Sequence, residues 1–273
     1  MRKPLFSVII PALNEEKFLP TLLSSLAAQT MKSFEVIVVD GKSKDDTVKV
    51  AKSYAKKLPS LAVVTSPKAS LPYQRNYGAK YAKGEWLVFV DADGIFLPYA
   101  LKRCEVFILT TKPTVFTSWF MPDSPISGDA LFTLVTNLTI EMSLVVKRQL
   151  TPGPLTFVSR IAYDSVGGYD EEHAFNEDVD FGLRLAKTGY TLSVLRETIC
   201  VYSLRRYRKQ GTLKVVQQYI TAGLVALFTK SALKKMPGYI MGGHLYEKRK
   251  LVKQSVLKKY ERKLKNFTKE LFS

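Results

Sequence analysis

A chain of 273 residues, 46% hydrophobic and 24% charged, can bury a large core, and no tract of it is biased enough in composition to stay disordered. Its net charge of +17 would suggest a nucleic-acid partner if it were evenly spread, but residues 1–202 carry 23 Lys and Arg against 21 Asp and Glu, whereas residues 203–273 carry 18 against 3. The basicity therefore belongs to a C-terminal block, which suits an anionic surface, and leaves the body free for other chemistry.

Along the chain, Met1–Leu13 has no small-residue cleavage site and contains Pro11, so it reads as a first strand (Phe6–Ile10) and not as a leader. Phe18, Leu19, Leu22, Leu23 and Leu26 recur at helical spacing; Phe34–Val39 predicts a second strand and Thr47–Leu58 a lysine-rich helix. Leu61–Val64, Tyr73–Ala82 and Trp86–Val90 continue as strand, helix and strand. Such alternation predicts an α/β fold with a mostly parallel sheet flanked by helices. Beyond Pro98 the pattern becomes Thr-rich and aromatic, a second polar cluster follows at His173–Asp180, and from Ser203 the chain turns basic and helical.

The apolar windows at 126–146 and 213–228 are interrupted by Asp129, Glu141 and Gln217-Gln218, so no membrane-spanning helix is expected. Cys104 and Cys200 lie in no metal-ligand spacing and read as inert thiols, with a cytoplasmic location as the default.

Polar residues gather where predicted parallel strands end: Asn14 and Glu15, then Asp40, then Asp91 and Asp93. Ligands of open α/β sheets bind at such ends. No G-x-G-x-x-G follows the first strand and no G-x-x-x-x-G-K-[ST] occurs anywhere, which argues against dehydrogenase and P-loop chemistry. Without a glycine cradle, a diphosphate is most simply neutralised by a carboxylate-bound divalent cation. Asp91-Ala92-Asp93 can supply hard oxygen ligands for one, although an isolated D-x-D before Gly94 equally describes a turn.

The ordered stretches SVIIPALNEEKFLPTLLSSLAAQT (7–30), VIVVDGKSKDDT (36–47), QRNYGAKYAKGEWLVFVDAD (74–93), GGYDEEHAFNEDVDFGLRLAKTGY (167–190) and, more loosely, SLRRY (203–207) together resemble the family 2 glycosyltransferases of GT-A fold. That resemblance implies a catalytic domain at 1–207, with a nucleotide-binding half at 1–97 and an acceptor-binding half at 98–207, followed by a basic helical extension at 208–273. It implies that Asp40 holds the nucleobase in a pocket shared with Pro11, Ala12, Asn14 and Glu15, with Asp45 as the second acid of that motif. It further implies that Arg75 contacts the nucleotide, Asp91 meets the ribose or the metal, Asp93 binds Mg²⁺ or Mn²⁺, and Asp178 is the base of an inverting transfer. Arg206 stands where the family often has Q-x-x-R-W and would bind the diphosphate; Ser203 and Tyr207 depart from that motif, which weakens the case for processive synthesis. Lys42 and Asp46 occupy positions where the family usually has Gly. The implied donor is a nucleotide sugar, UDP-linked in preference to GDP-linked, and the acceptor is a glycan, a lipid-linked molecule or a protein.

Remaining features have plainer readings beside the sharper ones. His244, after Gly242-Gly243, is a candidate metal ligand on a flexible loop, and His173 a weaker one; a lone histidine is more commonly a surface residue. Asp180 and Arg184 form a helical i, i+4 pair. Apolar stripes at Val216–Leu227 and Val252–Leu271 describe either helices packed on the body or another subunit, or an interfacial pair seated peripherally on a membrane. Rival functions are a polyprenyl-phosphate sugar synthase and a basic nucleic-acid- or membrane-binding protein on an inactive transferase body; intact acids make the nucleic-acid reading the weaker one.

Overall fold

The computed structural model describes residues 3–145, 149–173 and 175–210, together with Lys234. The stripes at 216–227 and 252–271, and His244, lie outside the described residues.

Eight strands form one sheet in the order β3-β2-β1-β4-β7-β6-β8-β5. Its first half is the predicted one: β1 (Phe6–Ala12), β2 (Phe34–Asp40), β3 (Leu61–Thr65) and β4 (Trp86–Val90) are all parallel. Every residue of β1, β2 and β4 is buried, as largely apolar strands covered on both faces require, with Ser7 of β1 donating to Glu35 of β2 (2.6 Å). Pro11 is tolerated inside β1 because pairing with β4 ends at Ile9↔Phe89, leaving Pro11 opposite Val39 of β2 alone.

The connecting helices are α1 (Leu19–Ala27), α2 (Thr47–Ser53) and α3 (Leu71–Tyr81). α1 begins at the staple of Leu19, Leu22, Leu23 and Leu26, all fully buried. α2 is shorter than the periodicity predicts, since residues 54–57 continue only as turns before Pro59. α3 packs so tightly that a Cβ at Gly78 would stand 2.5 Å from Ile9 Cγ2 and 2.8 Å from Val39 Cγ2.

Beyond β4 the sheet becomes mixed. β5 (Ile95–Phe96) and α4 (Ala100–Thr111) lead to β6 (Val115–Pro122) and α5 (Ser127–Val145). β7 (Leu155–Ser159) runs antiparallel to β4 and β6, β8 (Leu192–Tyr202) is parallel to β6, and β5 closes the edge antiparallel to β8. Register breaks around Trp119 leave Arg196 and Glu197 as extra residues of β8, and they pair with Glu141 and Arg103. α6 (Arg160–Ser165), α7 (Glu177–Lys187) and α8 (Arg205–Gln210) complete the elements among the described residues.

One apolar core spans both halves, with Phe6, Phe116 and Phe157 in ring contact at its centre. Cys104 and Cys200 are buried free thiols, and burial raises both, Cys200 to about 12. No helix among the described residues is long and apolar enough to cross a membrane.

Candidate functional site

The carboxyl ends of β2, β1 and β4 lie side by side, and the loops leaving them are stitched together by backbone donors. Asn14, held at φ 56°, donates its N–H to Ser43 Oγ (2.9 Å) while its Oδ1 accepts from Lys44 N (2.8 Å). Glu15 N donates to Thr47 Oγ1 (2.8 Å), and Glu16 N to Asp45 Oδ2 (3.1 Å). Gln74, reaching up from α3, donates to Ala12 O (3.1 Å) and Val39 O (2.7 Å), fixing the pocket floor. Pro11, Ala12, Asn14, Glu15 and Asp40 are therefore brought together.

Asp40 is 3% exposed, and its carboxylate accepts from Lys42 N (3.1 Å) and Ser43 N (3.2 Å), so it shapes the turn at the strand end. Lys42 adopts φ 68°, the left-handed conformation for which glycine is the usual residue. The loop thus keeps the conformation that a glycine would give it, at a local cost of about 1 kcal/mol.

Arg75 departs from the role expected of it. Its side chain is 1% exposed, with Nη1 donating to Glu177 (2.9 Å) and Nη2 to Asp91 (3.3 Å) and Gly153 O (2.8 Å), above the Tyr169 ring. Three acceptors on three segments take the two Nη groups, so it joins parts of the protein, while its buried Nε makes no hydrogen bond. Through it the D-x-D turn after β4 is tied to the N-terminus of α7 and to the Thr151-Pro152-Gly153 loop.

Asp178 lies in the first turn of α7, beside Glu177. Burial, then the negative charge of Glu177, raises its carboxyl to about 7, with Arg75 acting in the opposite sense. Gly153 is required opposite it, since a Cβ there would stand 2.8 Å from Asp178 Oδ2. Helix position alone would favour the ionised acid, so desolvation and the neighbouring carboxylate outweigh the dipole here.

Asp93 faces Arg205, whose Nε is 2.7 Å from its Oδ2. The same guanidinium makes a fork onto Glu15 (2.8 and 2.6 Å) and lies over the Phe18 ring, 4.2 Å from its centroid. Burial raises Asp93 to about 6 and also raises Glu15; Arg205 opposes both shifts. The sequence singles out Arg206, but the cation beside these acids is Arg205. Ser203 and Leu204 are fixed in turn by the Asp123 carboxylate.

Asp91 keeps a side chain 35% exposed, with one oxygen on Arg75. Asp91 and Asp93 are hard oxygen donors of the kind that suit Mg²⁺ or Mn²⁺. His173 is buried, 3.7 Å from Asp170 and 3.8 Å from Asp180, and the three form a compact group apart from the D-x-D turn. Asp180 makes the expected pair with Arg184 (2.7 Å).

Three positions in this arrangement escape sequence reasoning: Arg205, Glu177 as the acid that holds Arg75, and Gly153 as the residue that makes room for Asp178. Only Gly153 leaves a local trace, lying between two prolines in Thr151-Pro152-Gly153-Pro154.

Comparison with known proteins bears on the family and the fold. The glycosyl transferase family 2 model matches residues 7–127. A PGL/p-HBAD biosynthesis glycosyltransferase of Mycobacterium bovis is 30% identical over 188 residues, covering 67% of this chain and 70% of the relative. TarS of Staphylococcus aureus, crystallised with UDP-GlcNAc, superposes with a TM-score of 0.60 at 27% identity, over 72% of this chain and 58% of that one. The mannosyltransferase PcManGT of Pyrobaculum calidifontis, solved with GDP-Man and Mn²⁺, gives a TM-score of 0.61 at 20% identity over 82% of this chain and 65% of that one, a likeness of fold. With the mixed eight-stranded GT-A sheet and the acids at its strand ends, these matches place the chain in glycosyltransferase family 2.

Proposed function

We infer that this glycosyltransferase moves a sugar from a nucleoside-diphosphate donor, UDP-linked in preference to GDP-linked, onto an acceptor hydroxyl with inversion at the anomeric carbon. The observation that carries the reading is Asp178, a carboxyl raised to about 7 beside Glu177, whose bond to Arg75 ties this helix end to the D-x-D turn. A base with a pKa near neutrality is deprotonated often enough to act and basic enough to accept a hydroxyl proton.

In the proposed reaction the acceptor oxygen loses its proton to Asp178 Oδ and forms the new bond to the anomeric carbon. The bond from that carbon to the diphosphate breaks, and the electron pair leaves with the nucleoside diphosphate. Asp40, Asn14 and the loop from Gly41 to Thr47 line the nucleoside side, with Ala12 and Gln74 beneath. Asp91 and Asp93 would hold Mg²⁺ or Mn²⁺, which when bound neutralises charge on the departing diphosphate. Arg205 sets a permanent positive charge beside Asp93. Residues 1–97 supply the donor side, and residues 98–207 supply Asp178 and the acceptor side. Support for the donor class comes from the UDP-GlcNAc in TarS and, through the shared fold, from the GDP-Man and Mn²⁺ in PcManGT.

A thermal-shift series with UDP and GDP, each with and without Mn²⁺, tests the donor site. UDP with Mn²⁺ is expected to raise Tm, and Asp93→Ala to remove the metal-dependent part of the rise. Absence of any nucleotide effect, or an undiminished effect in Asp93→Ala, refutes the assignment.

A further inference from the structure

α5 is amphipathic in the inverted sense. Its polar residues Thr133, Asn137 and Ser143 face the body and are buried. Asn137 bridges the backbone of Phe120, with Oδ1 accepting from its N–H and Nδ2 donating to its carbonyl, both at 3.0 Å. Ser143 Oγ donates to Ile140 O and accepts from Leu150 N. Leu131, Leu134, Val135, Leu138, Met142 and Val145 fall at i, i+3, i+4, i+7, i+11 and i+14 and are 50–73% exposed. Soluble helices turn such a stripe inward.

No charge interrupts that outer face. Asp129 and Glu141 are the helix's charged residues, and each is partly buried and turned towards an arginine: Asp129 towards Arg208 (3.9 Å) and Glu141 onto Arg196 (2.9 Å). A contiguous exposed apolar surface of this extent marks an interaction site.

The first residues of the basic block, in α8, lie against the same helix. Phe132 of α5 packs on Tyr207 of α8, ring centroids 4.4 Å apart, and Arg208 bonds Asp123. From Ser203 the sequence runs through a block in which 18 Lys and Arg face 3 acids, and Lys147-Arg148 follows the stripe after Val146. An uncharged apolar helix face flanked by positive sequence is complementary to an anionic bilayer, whose headgroups attract the cations while its acyl boundary accepts the leucines.

We propose that the outer face of α5 lies in the surface of an anionic membrane and that the transferase works on an acceptor presented from that surface. The path to the site is short: eight residues after Val145 comes Gly153, the residue packed against Asp178. The acceptor class that such seating favours is amphiphilic, with a hydroxyl-bearing head and an apolar anchor. This statement about the acceptor rests on the transferase reading; the membrane contact does not.

The test uses the full chain and vesicles of phosphatidylcholine with or without phosphatidylglycerol, in 0.5 M NaCl, where attraction to the basic block is strongly screened. Wild type is expected to sediment with the anionic vesicles, and Leu134→Ser/Leu138→Ser to partition at least tenfold less while keeping its UDP-induced thermal shift. A fluorophore on Leu138→Cys reports the site directly, the native thiols being buried; its emission should rise and shift to the blue when vesicles are added. Equal sedimentation of the double-serine variant, or a label that stays in water while the protein sediments, overturns the proposal in favour of the basic block alone. A label already buried without vesicles overturns it in favour of a protein occupant, with light scattering separating a second copy from the chain's own tail. Failure of UDP binding with vesicle binding intact would instead refute the donor reading.

Discussion

Asp178 and its neighbours show how one carboxyl acquires a task that its sequence context only permits. Two acids in a helix's first turn are ordinary; what separates them is that Glu177 is claimed by Arg75 while Asp178 has no cation in direct contact among its described partners and faces Gly153. For a base raised to about 7, kcat/KM should rise with pH through about 7 and level off above it, as measured between pH 5.5 and 8.5. Asp178→Asn should lower kcat by about 10² to 10⁴, the usual worth of general-base catalysis, and leave the UDP thermal shift in place. A variant with near-native kcat would assign the proton transfer to another group.

At the scale of elements, one side chain of α8 reaches across the sheet ends. Arg205 bonds Glu15 after β1 and Asp93 after β4, and the three side chains are 14%, 8% and 10% exposed. Removing one member of a buried ionic cluster leaves the others uncompensated, at a typical cost of 3–5 kcal/mol. Arg205→Ala should thus lower unfolding free energy by about 3 kcal/mol or more in urea titrations, whereas Lys49→Ala, breaking an exposed pair with Asp46, should change it by less than about 0.5 kcal/mol. An equal effect of the two would show that Arg205 does not hold these ends. This element also marks where sequence reading reaches its limit. The parallel half of the sheet was legible because buried strands must be apolar runs and their ends must carry the polar ligands, so Asp40, Asp91 and Asp93 could be found by position. The mixed half was not, because β6, β7 and β8 are joined by pairings that skip along the chain, and no local pattern encodes which of Arg205 and Arg206 turns towards Glu15. Arg75 was legible as a residue of the site but not as an internal tie, since its partners Glu177 and Gly153 lie 102 and 78 positions away.

For the molecule as a whole, a site built from desolvated acids is held at some expense of stability, and pH reveals it. The folded protein holds the Asp178 proton up to about pH 7, against the ordinary 3.8 of an aspartate in the unfolded chain, so between these values the folded state binds more protons. The contribution of this group is therefore fully present below about pH 4 and is lost as pH rises through 7. Asp93, raised to about 6, acts in the same sense, although its ion pair with Arg205 offsets part of the penalty. Asn at position 178 never ionises, so Asp178→Asn should exceed wild type in Tm at pH 8, by several degrees if roughly 2 kcal/mol is recovered. That advantage should shrink steadily as pH is lowered and vanish near pH 4, where both chains carry a neutral side chain. A scan of Tm against pH for the two proteins measures the crossing directly. A constant difference at all pH values would mean that Asp178 is not held protonated by the fold, and the same result would remove the physical basis for its action as a base near neutrality.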